Sequence, residues 1–168
     1  MEGGGLMMLW SLIVVAASVA ASAADKHHKR DVEALLSFRD HIKSDPFGRL
    51  SNWTAKNSEN MCLWDGISCR KHSRRVVAID LGGSAFKGTI SASLGNLSLL
   101  RSLNLWDNKL TGRIPPEVGH LKVLATIDLT SNSFTRRIPA EVGHLKGLEE
   151  LVLASNSLTG SIPRVIAN

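Results

Sequence analysis

Ser102-Leu103-Asn104-Leu105-Trp106-Asp107-Asn108-Lys109-Leu110-Thr111-Gly112-Arg113-Ile114-Pro115 decides how this chain folds. Leu103 and Leu105 alternate with polar residues, the period of a short strand with one face turned inward. Asn108 stands where the chain must leave that strand. Ile114 precedes proline and is therefore pushed out of the helical region into an extended conformation. The same order returns at a fixed step of 24 residues. Leu81, Leu105, Leu129 and Leu153 keep this step, as do Asn108, Asn132 and Asn156, Ile90, Ile114, Ile138 and Ile162, Pro115, Pro139 and Pro163, Gly95, Gly119 and Gly143, and Leu97, Leu121 and Leu145. Such a period marks a solenoid, whose units bury their apolar sides only against their neighbours.

The strand of each unit is Ile79-Asp80-Leu81, Leu103-Asn104-Leu105, Ile127-Asp128-Leu129 or Leu151-Val152-Leu153. Stacked in register, these predict a parallel sheet on one face. The outward positions then form three columns: Ala78, Ser102, Thr126, Glu150; Asp80, Asn104, Asp128, Val152; and Gly82, Trp106, Thr130, Ala154. Asn108, Asn132 and Asn156 form a structural ladder, since an amide turned into the coil can bond backbone groups that have no other partner. Two departures stand out. Ser84 and Ser91 replace the asparagine and proline of the first unit, and Arg136 occupies the place of Gly112. If that place needs a positive φ, arginine is strained there.

Upstream, Asp31 to Lys43 reads as an amphipathic helix with Val32, Leu35, Leu36, Phe38 and Ile42 on one side, Asp31 at its start and Asp45-Pro46-Phe47-Gly48 as its stop. Cys62 and Cys69 follow, separated by six residues. Leu6 to Ala24 is an apolar run ending in small residues, Ala20-Ala21-Ser22-Ala23-Ala24, as in a signal peptide. An uncleaved anchor is the rival reading, since Lys26-His27-His28-Lys29-Arg30 follows the run. In a secreted chain the two cysteines form a disulfide by default. Its short loop would contribute about 2–3 kcal/mol in the chain-entropy model. Asn52-Trp53-Thr54 and Asn96-Leu97-Ser98 are glycosylation sequons. The expected organisation is a signal peptide at 1–24, a polar basic tail at 25–30, an N-terminal cap at 31–75, and about four repeats at 76–168. The last repeat is expected to be incomplete, with truncation of a longer chain preferred to a partner that covers the open end.

With Leu110-Thr111-Gly112-Arg113-Ile114-Pro115 as its mark, the unit resembles the plant-type extracellular leucine-rich repeat. Ala34-Leu35-Leu36-Ser37-Phe38-Arg39, Trp53 and Cys62-Leu63-Trp64-Asp65-Gly66-Ile67-Ser68-Cys69 resemble that family's N-terminal cap. The resemblance runs from Asp31 to Asn168. It implies an α/β leucine-rich repeat solenoid, with a parallel sheet on the concave face and a helical, disulfide-bonded cap. It also implies the ectodomain of a receptor-like kinase or receptor-like protein, at the cell surface or secreted, that takes a peptide, glycan or protein ligand or a co-receptor. A secreted polygalacturonase-inhibitor-like protein and an adaptor that pairs with full-length receptors are the alternatives.

Within this frame the candidate binding face is Ser102, Asn104, Trp106, Thr126, Asp128, Thr130, Glu150 and Val152. Trp106 is a candidate anchor, because binding hot spots are rich in tryptophan; the competing reading has it covering neighbouring strands. His120 and His144 recur in two copies of Val-Gly-His-Leu-Lys and read as a solvent-facing corner. Lys71-His72-Ser73-Arg74-Arg75 reads as a solvated basic linker. No nucleophile–base set, metal site or phosphate loop is evident, so neither catalysis nor a cofactor is expected. The 168 residues carry a formal charge of +5. On a secreted chain without an aromatic-interleaved basic platform, that charge does not point to nucleic acid. Any membrane attachment would come through a longer parent receptor or an uncleaved signal.

Overall fold

The computed structural model of the chain describes residues 24–163. The expected signal peptide, apart from its final residue, and the expected break in the fourth repeat lie outside them. Helix α1 (24–41) opens the described chain. It is followed by β1 (Ile42–Ser44), a 3-10 segment (Ala55–Leu63) and β2 (Ile67–Cys69). The repeats supply β3 (Val76–Asp80), β5 (Ser102–Asn104), β7 (Thr126–Asp128) and β9 (Glu150–Val152). They also supply β4 (Lys87–Gly88), β6 (Lys109–Gly112), β8 (Ser133–Arg136) and β10 (Ser157–Leu158). Short 3-10 turns at Ala92–Asn96, Pro116–His120 and Ala140–His144 close the coils.

Two five-stranded sheets result, ordered β2-β3-β5-β7-β9 and β1-β4-β6-β8-β10. The first is the expected concave sheet. Its register aligns Ala78, Ser102, Thr126 and Glu150 in one row and Asp80, Asn104, Asp128 and Val152 in another. The second sheet lies beyond that expectation. Coils stacked in register bring equivalent extended segments within pairing distance, about 4.8 Å. The segment after each asparagine therefore pairs as well, with Lys87 opposite Lys109 and Thr111 opposite Ser133. The chain after Ile-Pro does not stay extended either, because Pro115 and Pro139 lead straight into 3-10 turns.

The core is a row of equivalent side chains. Leu81, Leu105 and Leu129 are buried, as are Leu97, Leu121 and Leu145, and so are Phe86, Leu110 and Phe134. The recurring glycines are a consequence of coil contact. A Cβ built on Gly95 would lie 2.4 Å from the carbonyl oxygen of Glu117, and one on Gly119 equally close to that of Glu141. Any side chain there would force successive coils apart.

The cap serves both sheets at once. β1 pairs antiparallel with β4 and β2 antiparallel with β3, so each sheet begins on a strand supplied by the cap. Cys62 and Cys69 are bonded, tying the 3-10 segment to β2. Phe38 and Trp53 meet at 6.1 Å between ring centroids, and Trp53 and Trp64 stack at 5.5 Å. All three are buried, and both indole N–H groups are satisfied, Trp53 Nε1 by the carbonyl of Asp65 and Trp64 Nε1 by that of Asn57.

Two readings at the cap are corrected. Residues 25–30 form the first turns of α1 rather than a tail. They contain no glycine or proline, and lysine and arginine extend a helix readily once its neighbour is packed. Asp31 therefore lies inside the helix instead of starting it. It is fully buried and accepts bonds from Arg75 Nε at 2.7 Å, Arg75 Nη2 at 3.1 Å and the Val76 N–H at 3.0 Å. Arg75, read as part of a solvated linker, is buried with it and also donates to Ser98 Oγ at 2.9 Å. Lys71, His72, Ser73 and Arg74 remain exposed in the loop between β2 and β3.

Arg136 has φ of +71°, while Gly112 and Gly160, one coil away on either side, both have +81°. Arg136→Gly is predicted to raise the melting temperature through a gain of about 1 kcal/mol, and an unchanged or lower value would show the position to be unstrained. Arg75→Met strands a buried carboxylate. It is predicted to cost about 3–5 kcal/mol in urea unfolding, whereas a loss below about 1 kcal/mol would show the pair to be dispensable.

Candidate functional site

The concave surface rests on the asparagine ladder. Asn108 Nδ2 donates to the carbonyls of Leu105 at 3.0 Å and Trp106 at 3.2 Å in its own coil, and to Leu81 at 2.9 Å in the coil before. Its Oδ1 accepts from the Phe86 N–H at 2.8 Å. Asn132 and Asn156 repeat the pattern one and two coils on, with Oδ1 accepting from Leu110 and Phe134. Each amide thus joins two coils at the exit from the strand, and this fixes the depth and direction of the residues just before it.

Where the first repeat has Ser84, the cap supplies the missing donors. Ser84 Oγ donates to the Leu81 carbonyl at 2.8 Å, the bond an asparagine would make to the residue three before it. Arg49 Nη1 donates to Ser84 Oγ at 2.8 Å and to the Gly82 carbonyl at 3.2 Å. Arg49 is itself held by Asp65 through Nε at 2.8 Å and Nη2 at 3.0 Å. These bonds to Asp65 raise the guanidinium pKa against an opposing effect of burial. Arg49's hydrogen bonds likewise hold the Asp65 carboxyl below the usual carboxylate range. The sequence reading missed both residues. The departure at position 84 was the available signal, since an absent asparagine leaves carbonyls that something else must satisfy.

On this frame Ser102, Asn104, Thr126, Asp128, Thr130 and Val152 are partly exposed, and Trp106 and Glu150 are exposed. Thr126 Oγ1 bonds Ser102 Oγ at 2.9 Å across the strands. Asn104 Oδ1 accepts from the Trp106 N–H and Asp128 Oδ1 from the Thr130 N–H, so both side chains are partly committed to their own backbone. Asn104 Nδ2 also donates to Asp80 Oδ1 at 3.0 Å. Trp106 is 44% exposed. Its indole lies across Gly82, where a Cβ would come within 2.1 Å of Nε1. Both readings of Trp106 therefore describe part of it: one ring face covers the preceding coil and the other is open. The three outward columns contain Asp80, Asp128 and Glu150 and no lysine or arginine. The trough is acidic on a chain whose formal charge is +5.

The remaining expected sites are placed as follows. Asn96 is exposed at the end of a 3-10 turn. Asn52 is half-buried, its Nδ2 donating to the Leu63 carbonyl at 3.3 Å and its Oδ1 accepting from the Asp65 N–H at 3.4 Å. His120 and His144 are exposed at the ends of consecutive 3-10 turns. Among the described residues, no three His, Cys, Asp or Glu side chains converge as metal ligands would. No helix among the described residues is long and apolar enough to cross a membrane.

A cap of this build followed by stacked coils with a concave sheet defines a leucine-rich-repeat solenoid. The family model for the leucine rich repeat N-terminal domain matches residues 28–70, and that for the leucine rich repeat matches 98–158. The chain belongs to the leucine-rich-repeat family, in the form found in plant receptor-like kinases. It is 39% identical over 82 residues to the LRR receptor-like serine/threonine-protein kinase EFR of Arabidopsis thaliana, a match covering 48% of this chain and 8% of that protein. A chain of the BIR3–SERK2 complex from Arabidopsis thaliana superposes with a TM-score of 0.74 at 33% identity, over 82% of this chain and 74% of that one. The PEPR1–AtPEP1 structure gives 0.76 at 36% identity, over 81% of this chain and 19% of that one. The chain spans only 7–13% of the length of the curated relatives it matches.

A carboxyl whose pKa is lowered by folding contributes stability that is complete above its unfolded value, about 4, and is lost as the pH falls through the lower folded value. Acidification from about pH 5 to about pH 3 should therefore lower the melting temperature partly through Asp65. Asp65→Asn should flatten that part of the fall and lower the melting temperature at neutral pH. Parallel curves for the two proteins would show that Arg49 gains nothing from the charge.

Proposed function

We propose that the chain is an extracellular recognition module that works by binding, presenting its concave sheet to a peptide or protein ligand as part of a receptor-like ectodomain. The observation that carries this reading is the surface itself. Rigid, register-aligned columns hold an open tryptophan face in an acidic trough, and an anchored aromatic loses little entropy on binding. The ligand that fits is neutral or cationic and supplies an apolar or cationic group to the indole face. Ser102, Asn104, Thr126, Asp128, Thr130, Glu150 and Val152 form the surrounding contact surface. The likeness to PEPR1–AtPEP1 and to the BIR3–SERK2 complex supports a peptide ligand and a leucine-rich-repeat co-receptor as the two kinds of partner. Passage through the secretory pathway fits the disulfide and the exposed sequon at Asn96. Asn96 is the glycosylation site the geometry favours, since the Asn52 amide is engaged within the cap.

The test is to pan a random linear peptide library on the secreted chain and to measure selected peptides against variants. Neutral or basic peptides should be enriched, and Trp106→Ala should weaken them about thirtyfold without lowering the melting temperature by more than a few degrees. Peptides that bind Trp106→Ala as tightly as the original chain would overturn the assignment to this face.

A further inference from the structure

A cleft of about 820 Å³ opens on the flank of the second sheet, away from the three concave columns. Arg113, Arg136 and Arg137 line it together with Ile114, Pro116 and Pro139, and Glu141 is the one carboxylate on its wall. All three arginines are exposed, and among the described residues none of them forms an ion pair. We propose that this cleft is a second binding site, for an acidic oligosaccharide whose ring carboxylates pair with Arg113, Arg136 and Arg137.

Two independent features mark the cleft as more than a basic patch. Arg136 holds a left-handed backbone at φ +71° where the flanking coils have glycine, so the third guanidinium is kept at a cost in stability. Local strain of this kind concentrates at functional positions. Arg137 is positioned by the next coil. A Cβ built on Gly160 would lie 2.9 Å from Arg137 Cγ and 3.1 Å from its Nε, so the arginine stem lies across bare backbone. Its guanidinium is thereby partly ordered before any ligand arrives.

The chemistry of the wall selects the ligand. Arg113 and Arg137 occupy the same place in successive coils, so positive charge recurs at about the 4.8 Å coil spacing, which suits a polymer bearing one carboxylate per ring. Guanidinium pairs with carboxylate through two parallel bonds. The backbones of β6 and β8 are paired on both sides, and among the described residues β10 keeps the one open edge of this flank. Over β6 and β8 recognition falls to side chains, with the half-buried Pro116 and Pro139 offering an apolar floor to the faces of sugar rings.

The experiment measures binding of a labelled oligouronate to the full secreted chain by fluorescence anisotropy, at low and at physiological salt. Arg136→Gly should weaken binding about tenfold while raising the melting temperature, an opposition that loss of folding cannot produce. The triple variant Arg113→Ser, Arg136→Gly, Arg137→Gln should lose measurable binding. The control triple Lys43→Gln, Lys56→Gln, Lys71→Gln removes equal charge from exposed positions elsewhere and should retain it, as should Trp106→Ala. Equal losses in the two triple variants would reduce the effect to net charge and overturn the site. Polyglutamate bound as tightly as the oligouronate would overturn the sugar as its ligand. Dependence on Trp106 would return the binding to the concave face.

Discussion

The asparagine amide that follows β5, β7 and β9 is the interaction on which the solenoid turns. At the exit from the concave strand the coil has no helix or hairpin to absorb its backbone groups, and a buried polar group without a partner is costly. One amide satisfies carbonyls in two consecutive coils and accepts an N–H from the earlier one. The spacing between coils, the pairing of both sheets and the alignment of the outward columns all depend on that bond being repeated. At the first coil, where serine replaces asparagine, Arg49 is brought from the cap to complete it.

The cap is thus an adaptor as well as a lid. It gives each sheet an antiparallel first strand, the missing donor of the first coil and, through Asp31, the counter-charge for Arg75. The buried pair and the disulfide act at different places. The pair joins α1 to the start of β3, and the disulfide holds β2 against the 3-10 segment.

Most of the solenoid could be read from the sequence because its constraints are periodic. A leucine required every coil, or an asparagine that must reach two coils, leaves a mark at the same step each time. The columns of the concave face followed from strand alternation alone, and the question of a left-handed backbone at Arg136 from comparison with Gly112. What was not legible has no period. Arg49 meets Ser84 across 35 positions, and Asp31 meets Arg75 across 44, and neither separation repeats. The second sheet was missed for a different reason. Its strands are two to four residues long, too short to show alternation, and they exist because stacking brings like segments together. The outward residues of the trough carry no repeat signature, so their geometry is fixed while their chemistry is free to vary.

That freedom has an electrical consequence. Asp80, Asp128 and Glu150 lie along the trough and Arg113, Arg136 and Arg137 on the flank of the other sheet, so these unlike charges are segregated on the solenoid. Near a fixed anionic matrix such a body is not free to tumble equally. Within about a Debye length, 8 Å at physiological ionic strength, the flank is drawn toward the matrix and the trough is turned away from it. The same asymmetry that separates two chemistries on one narrow rod would also set which of them looks outward.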